Sequence, residues 1–149
     1  MSSAIQLVGA GLVLAVTVVV GTITHEFSHA FALRVFGVRF EMSWLPERDR
    51  TGLLRASIAG DWAAVRPRAL PHDFEPWRLR VAAMMPLVLA VPLPLVALGV
   101  LPDPFASGNP YEVAVALGWL ACALPSPQDF SLLWHAERAI EESPPAEMS

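Results

Sequence analysis

A chain of 149 residues has room for one domain, and 54% apolar residues is too many for an ordinary soluble domain of that size, so membrane embedding is the economical expectation. The net charge is −4, from ten arginines, no lysine and fourteen acidic residues, which leaves no basic field for nucleic acid. Cys122 is the single cysteine, so an internal disulfide and any cysteine-rich zinc or redox motif are excluded, and its plain reading is a small apolar residue in a helix.

From Ala4 to Thr24 no residue is charged, and only Gln6, Thr17, Thr22 and Thr24 are clearly polar, a run long enough to cross hydrocarbon. It lacks a basic leader, is longer than a signal h-region and ends at no small-x-small cleavage site, so a retained span is expected. Helical character continues through Thr24-His25-Glu26-Phe27-Ser28-His29 and on to Phe36, with Gly37 as a natural stop and Arg34 and Arg39 near the membrane boundary. The first span therefore covers about residues 4–36, with His25 inside the membrane, roughly 16 to 18 Å along the axis from that stop.

After Gly37 the period changes. Val38, Phe40, Met42 and Trp44 alternate with Arg39, Glu41 and Ser43, which predicts a half-buried strand. Pro46 to Gly52 is polar and turn-forming, and Leu53 to Ala59 is expected to return as the second strand of a hairpin, the other reading being a loop on the membrane surface. Gly60 to Arg80 carries Pro67, Pro71 and Pro76 with Trp62, Phe74, Trp77 and several arginines, the composition of an interfacial connector. His72 lies in it with no spacing that ties it to the first pair of histidines, so it is read as a solvated loop residue.

Val81 to Leu101 is a second apolar span, interrupted in its hydrogen-bond ladder by Pro86, Pro92 and Pro94. A turn-rich connection leads to a third, about residues 111–134, whose clean apolar part, Val113 to Leu124, is too short to cross alone. It must run on through Pro125-Ser126-Pro127-Gln128-Asp129-Phe130, which breaks the helix and puts a carboxylate at membrane depth. The tail from about residue 143 to 149 is expected to be disordered. Eight of the ten arginines fall between Gly37 and Arg80 and none between the second and third spans. The positive-inside rule then puts the connector and C-terminus in the cytoplasm and the N-terminus outside, in a multi-pass protein of the cell membrane. The expected fold is an all-α membrane protein of three transmembrane helices with a short cytoplasmic-side β-hairpin and an interfacial connector, 1–149 forming one core.

Three ionisable side chains at the end of an uncharged run need a reason, since each costs on the order of 2.5 to 3.5 kcal/mol within a span. His25 and His29, four residues apart on a helix, lie on one face and can reach one metal ion. Glu26 projects within the same half of the helix, close enough to take a proton from a water that the ion activates. This His-Glu-x-x-His pattern reads as a zinc-dependent hydrolase, and a chain of this composition contains it by chance roughly 0.006 times. The plainer alternative is that the three groups only hydrogen-bond neighbouring helices. Asp129 is the best third ligand: measured from the outer helix ends, His25 and Asp129 lie roughly 31 and 27 Å in, a similar depth. Ser126-Pro127-Gln128-Asp129 also reads as a helix start, with Ser126 as N-cap and Asp129 in the first turn. His135 is the rival ligand.

His25-Glu26-Phe27-Ser28-His29 at the cytoplasmic end of a first span, followed by two spans and a carboxylate motif in the third, resembles the site-2 protease family of intramembrane zinc metalloproteases. The resemblance implies that His25, His29 and Asp129 bind Zn2+, that Glu26 is the catalytic acid/base, and that the substrate is a membrane-embedded or membrane-adjacent segment of another protein. The chain departs from the family where Asp129 is followed by Phe130 and not glycine. In the second span Ala83-Met84-Met85-Pro86 keeps the proline of a Gly-Pro motif but no following asparagine, so no oxyanion-stabilising group is assigned. A transmembrane substrate would have to unwind before attack, and pairing with an edge of the hairpin would hold it extended. The other function classes open to such a chain are a non-catalytic zinc-binding membrane scaffold and a metal-transport component.

Overall fold

A computed structural model of the protein describes residues 3–44, 63–69 and 74–141. Helices dominate them. Helix α1 runs unbroken over Ser3–Val35, about 50 Å at helical rise. An antiparallel pair of strands follows, β1 (Arg39–Trp44) and β2 (Ala63–Ala69). Next come α2 (Pro76–Met84), a 3-10 turn (Met85–Ala90), α3 (Pro92–Ala97), α4 (Pro110–Ala123) and α5 (Pro127–Glu141). Two helical stretches, Ser3–Val35 and Pro76–Ala97, are long and apolar enough to cross a membrane.

The expected third span does not form as one helix. α4 is 14 residues long, about 21 Å, and stops at Ala123. Its last carbonyls would be claimed by the amides of Pro125, Ser126 and Pro127, two of which have no N–H. The expected bounds also shift for the second span: the helical stretch begins at Pro76, five residues before Val81, and ends at Ala97.

The expected return strand, 53–59, lies outside the described residues, as do His72 and the tail from 142. The partner that β1 takes in the structure is Ala63–Ala69, in the stretch read as connector because of its prolines. Among the described residues the sheet has two strands, so one edge of each carries no ladder there, which is where a proline is tolerated. Phe40 pairs with Pro67 and Arg39 with Ala69, so Arg68 is an extra residue beside the proline, a bulge that ends the regular ladder.

The chain divides into two compact units. In the first, Met1–His25 with Pro86–Pro125, α1 and α4 approach through small residues. A Cβ on Gly118 would come within 3.2 Å of Leu14 and Thr17, and one on Gly21 within 2.7 Å of the Cys122 sulfur. Almost none of the apolar stretch of α1 is buried within the protein, and Ile5, Leu7, Val8, Leu12 and Val16 are all exposed. Its threonines turn their hydroxyls onto their own helix: Thr17, Thr22 and Thr24 donate to the carbonyls of Val13, Val18 and Val20 at 2.8 to 2.9 Å.

The second unit is Glu26–Met85 with Ser126–Ser149. Its core is Ala32, Leu33, Val38, Phe74, Leu79, Ala82 and Ala136, joined by Phe36, Met85, Leu132 and Ile140. Helix α1 ends here in a Schellman turn, with Gly37 at φ 73°, Gly37 N–H on the Arg34 carbonyl and Val38 N–H on the Leu33 carbonyl. The buried Leu33 and Val38 then lie in the same core, as that turn favours. Alanines at Ala82 and Ala136 carry the packing of α2 and α5. Arg80 ties the same pair at the surface, donating from Nε to the Leu133 carbonyl and from its guanidinium to Glu137.

Candidate metal centre

His25 and His29 sit one turn apart on α1, His25 buried at 7% exposure and His29 half-buried. Each ring is held by a backbone carbonyl at the C-terminal end of another helix. His25 Nδ1 lies 2.7 Å from the Cys122 carbonyl of α4, and His29 Nδ1 lies 2.8 Å from the Ala82 carbonyl of α2. A carbonyl only accepts, so Nδ1 of each ring is the donor, and the lone pair of the neutral imidazole is on Nε2. This is the outer-shell arrangement that turns a histidine into an oriented metal ligand.

The two carbonyls are free to do this for related reasons. In an α-helix the Ala82 oxygen would accept from residue 86, which is proline and has no N–H. It accepts instead from Met85 N–H, in a tighter i to i+3 bond, and from His29. The Cys122 oxygen would accept from Ser126, whose amide is turned to the Asp129 carboxylate at 2.6 Å.

Asp129, buried at 6% exposure, sits in the first turn of α5. Its amide donates to Ser126 Oγ at 3.2 Å while its Oδ2 accepts the Ser126 amide, the reciprocal pair of a capping box. Its Oδ1 lies 3.1 Å from His29 Nε2. With His29 Nδ1 already committed as donor, two lone pairs would face each other there unless a cation, a proton or a metal ion, is shared between them.

His25 and His29 belong to one unbroken helix, α1. One ligand atom from each of His25, His29 and Asp129 lies within 4.8 Å of the others, and this group can hold a metal ion. Two donors on one tetrahedral zinc, with bonds of about 2.0 to 2.1 Å, stand about 3.3 Å apart, close to the His29–Asp129 separation. Two neutral imidazoles and one carboxylate also form a donor set that leaves one tetrahedral position open.

Glu26 is half-buried on α1, next in sequence to His25, and is not one of the three donors. His135, the rival ligand, lies elsewhere: it is exposed, at a kink in α5 where its φ is −121°, and takes no part in the donor group. Cys122 contributes its carbonyl, while its sulfur rests 3.5 Å from the Val18 carbonyl and 3.9 Å from the Thr22 hydroxyl. The Ala82 and Cys122 carbonyls are the functional groups that reading residue types misses, since a backbone acceptor has no residue signature. Pro86, four residues after Ala82, is the one sequence signal for that carbonyl; Cys122 is followed at the same spacing by Ser126 and has none. No protein-family model, curated protein or solved structure matches this chain, so the reading of the site rests on its own geometry.

Proposed function

We propose that the chain is an intramembrane zinc metalloprotease that hydrolyses a peptide bond in or next to a transmembrane segment of a protein substrate, as its resemblance to the site-2 protease family implies. The observation that carries this is the convergence of His25, His29 and Asp129, with both histidines held through Nδ1 by helix-end carbonyls. Outer-shell partners of that kind are the usual support of histidine metal ligands.

The lipid bilayer is the proposed medium. The long apolar stretch of α1 is exposed outside its few helix contacts, and its threonine hydroxyls are satisfied internally, as hydrocarbon requires. In this reading α4 and the first half of α5, to about residue 134, together make a third, broken crossing, with irregular backbone only where it lines the site. The arginine distribution supports an outside N-terminus and a cytoplasmic C-terminus.

His25, His29 and Asp129 would hold the zinc, and zinc when bound supplies Lewis acidity and a nucleophilic water at neutral pH. The Glu26 carboxylate takes the proton from the attacking water and returns it to the leaving amine. An outer edge of the β1–β2 pair would receive an unwound substrate as an added strand, holding it by backbone hydrogen bonds.

Glu26→Gln tests the reading. The variant in proteoliposomes should bind zinc like the wild type while losing cleavage of single-span membrane proteins by about 10² to 10⁴-fold. Cleavage at the wild-type rate would remove Glu26 from the chemistry. Wild-type zinc binding with no cleavage of any such protein would favour the scaffold or transport reading.

A further inference from the structure

We propose that Pro86 is a positioning residue for the metal centre, because the N–H it lacks leaves the Ala82 carbonyl to fix the tautomer and orientation of His29. This rests on the metal-site part of the proposed function and not on proteolysis. Pro86 is the largest fully buried side chain among the described residues, and it follows Ala82 by the four residues of one helical hydrogen bond. A residue with an amide there would offer the Ala82 oxygen a donor in helical register, in competition with His29. Proline removes that donor, and its ring also clashes with the carbonyl four residues back, tilting it out of the ladder. The backbone records the consequence: α2 gives way at Met85 to a 3-10 turn, in which Met85 N–H takes one lone pair of the Ala82 oxygen and leaves the other for His29 Nδ1.

The orientation of His29 depends on that bond. With Nδ1–H on Ala82, Nε2 is the lone-pair atom and faces Asp129 Oδ1 at 3.1 Å. Without it, the neutral ring is free to take the other tautomer, in which Nε2–H donates to Asp129 and offers no lone pair to a metal. A single backbone amide at position 86 thus decides whether His29 is a ligand or a hydrogen-bond donor. The same logic acts on Cys122, where the Ser126 amide is drawn away by Asp129, but there the removable group is itself part of the candidate site.

The test compares Pro86→Ala with a backbone ester at position 86, in which lactate replaces alanine and the amide N–H is again missing. Zinc affinity is measured by competition with a chelator, and the tautomer of each histidine by the ring nitrogen shifts in the metal-free protein. Pro86→Ala is expected to lower zinc affinity by about 10 to 100-fold, the usual loss for an outer-shell partner. It should move His29 toward the Nε2–H tautomer with His25 unchanged, and the ester should restore both readouts. Wild-type affinity in Pro86→Ala, or an ester variant as weak as Pro86→Ala, would overturn the proposal. So would a wild-type protein whose neutral His29 carries its proton on Nε2, a result that needs no variant to fold. None of these measurements uses a substrate, so loss of the protease reading and loss of this one are separately visible.

Discussion

Asp129 reaches His29 with one carboxylate oxygen, Oδ1 to Nε2 at 3.1 Å, and closes the cap of its own helix with the other, Oδ2 on the Ser126 amide at 2.6 Å. Capping and ligation compete when read from residue types, yet the two roles use different atoms here. The cap sets the carboxylate plane, and the second oxygen is aimed as a result. Asp129 therefore enters the site already oriented, which lowers the ordering cost of metal binding.

Asp129→Asn and Asp129→Ala separate the two roles. Asparagine keeps an oxygen for the Ser126 amide but loses the charge, so zinc affinity should fall by more than the roughly 100-fold that marks loss of an outer-shell partner. Alanine should lose affinity similarly and also lose about 1 kcal/mol of stability in the metal-free protein from the broken cap. Zinc titration and denaturation without metal check the pair. Wild-type zinc affinity in Asp129→Asn would show that the carboxylate is only a cap.

Ser126→Ala isolates the other half of the capping box. The Asp129 amide loses its Oγ acceptor, while the Ser126 amide, which aims the carboxylate, is kept. Stability of the metal-free protein should fall by about 0.5 to 2 kcal/mol. Zinc affinity should change by less than about tenfold, below the range for losing an outer-shell partner. A larger loss of affinity would mean that the hydroxyl, and not the amide, holds Asp129 in place.

The donor residues were legible because ionisable groups are rare in apolar sequence: His25, Glu26 and His29 stand out by spacing, and Asp129 by depth. Their orientation was not legible. Pro86 announces the freed Ala82 carbonyl and no residue type announces that of Cys122, and which side chain takes each oxygen depends on packing between segments far apart in the chain. The alternation from Val38 to Trp44 pointed to an extended segment, and β1 covers most of it. Its partner at Ala63–Ala69 was hidden because Pro67 argues against a strand, and the pairing becomes visible only in the structure. Apolar content alone carries a third crossing through Pro125 and Pro127, and the hydrogen-bond ladder does not follow it there.

Arg80 and Glu137 give a pH dependence that is separate from the metal site. The Glu137 carboxyl titrates below its ordinary value of 4.5, chiefly through a hydrogen bond to backbone; desolvation opposes this, and Arg80 adds to the lowering. A lowered folded-state value means that the charged form is the stabilising one. The contribution is therefore complete above about pH 4.5 and lost as pH falls through the lower folded value. Glu137→Gln should melt slightly below the wild type near neutral pH, with the gap closing as pH falls below the ordinary carboxylate range. The pair is exposed, so the effect is small and should fade with salt. A gap that widened on acidification would reverse the assignment.

Gly21 connects helix packing to the hold on His25. A Cβ at this position would meet the Cys122 sulfur at 2.7 Å and the Cys122 Cβ at 2.8 Å, so Gly21→Ala must push the last turn of α4 away from α1. That turn carries the Cys122 carbonyl, which accepts from His25 Nδ1. Overpacking of this kind costs about 1 to 3 kcal/mol. The variant should therefore lose stability, and it should also lose zinc affinity because His25 loses its partner. Cys122→Ala removes the sulfur but leaves the Cβ at 2.8 Å, so it should rescue only in part. Cys122→Gly removes both atoms and should rescue further, less the roughly 1 kcal/mol cost of glycine in a helix. Coupling between the two positions, read from the double variant against the singles, is the measurement. If Gly21→Ala lost stability while binding zinc like the wild type, the Cys122 carbonyl would not be what orients His25.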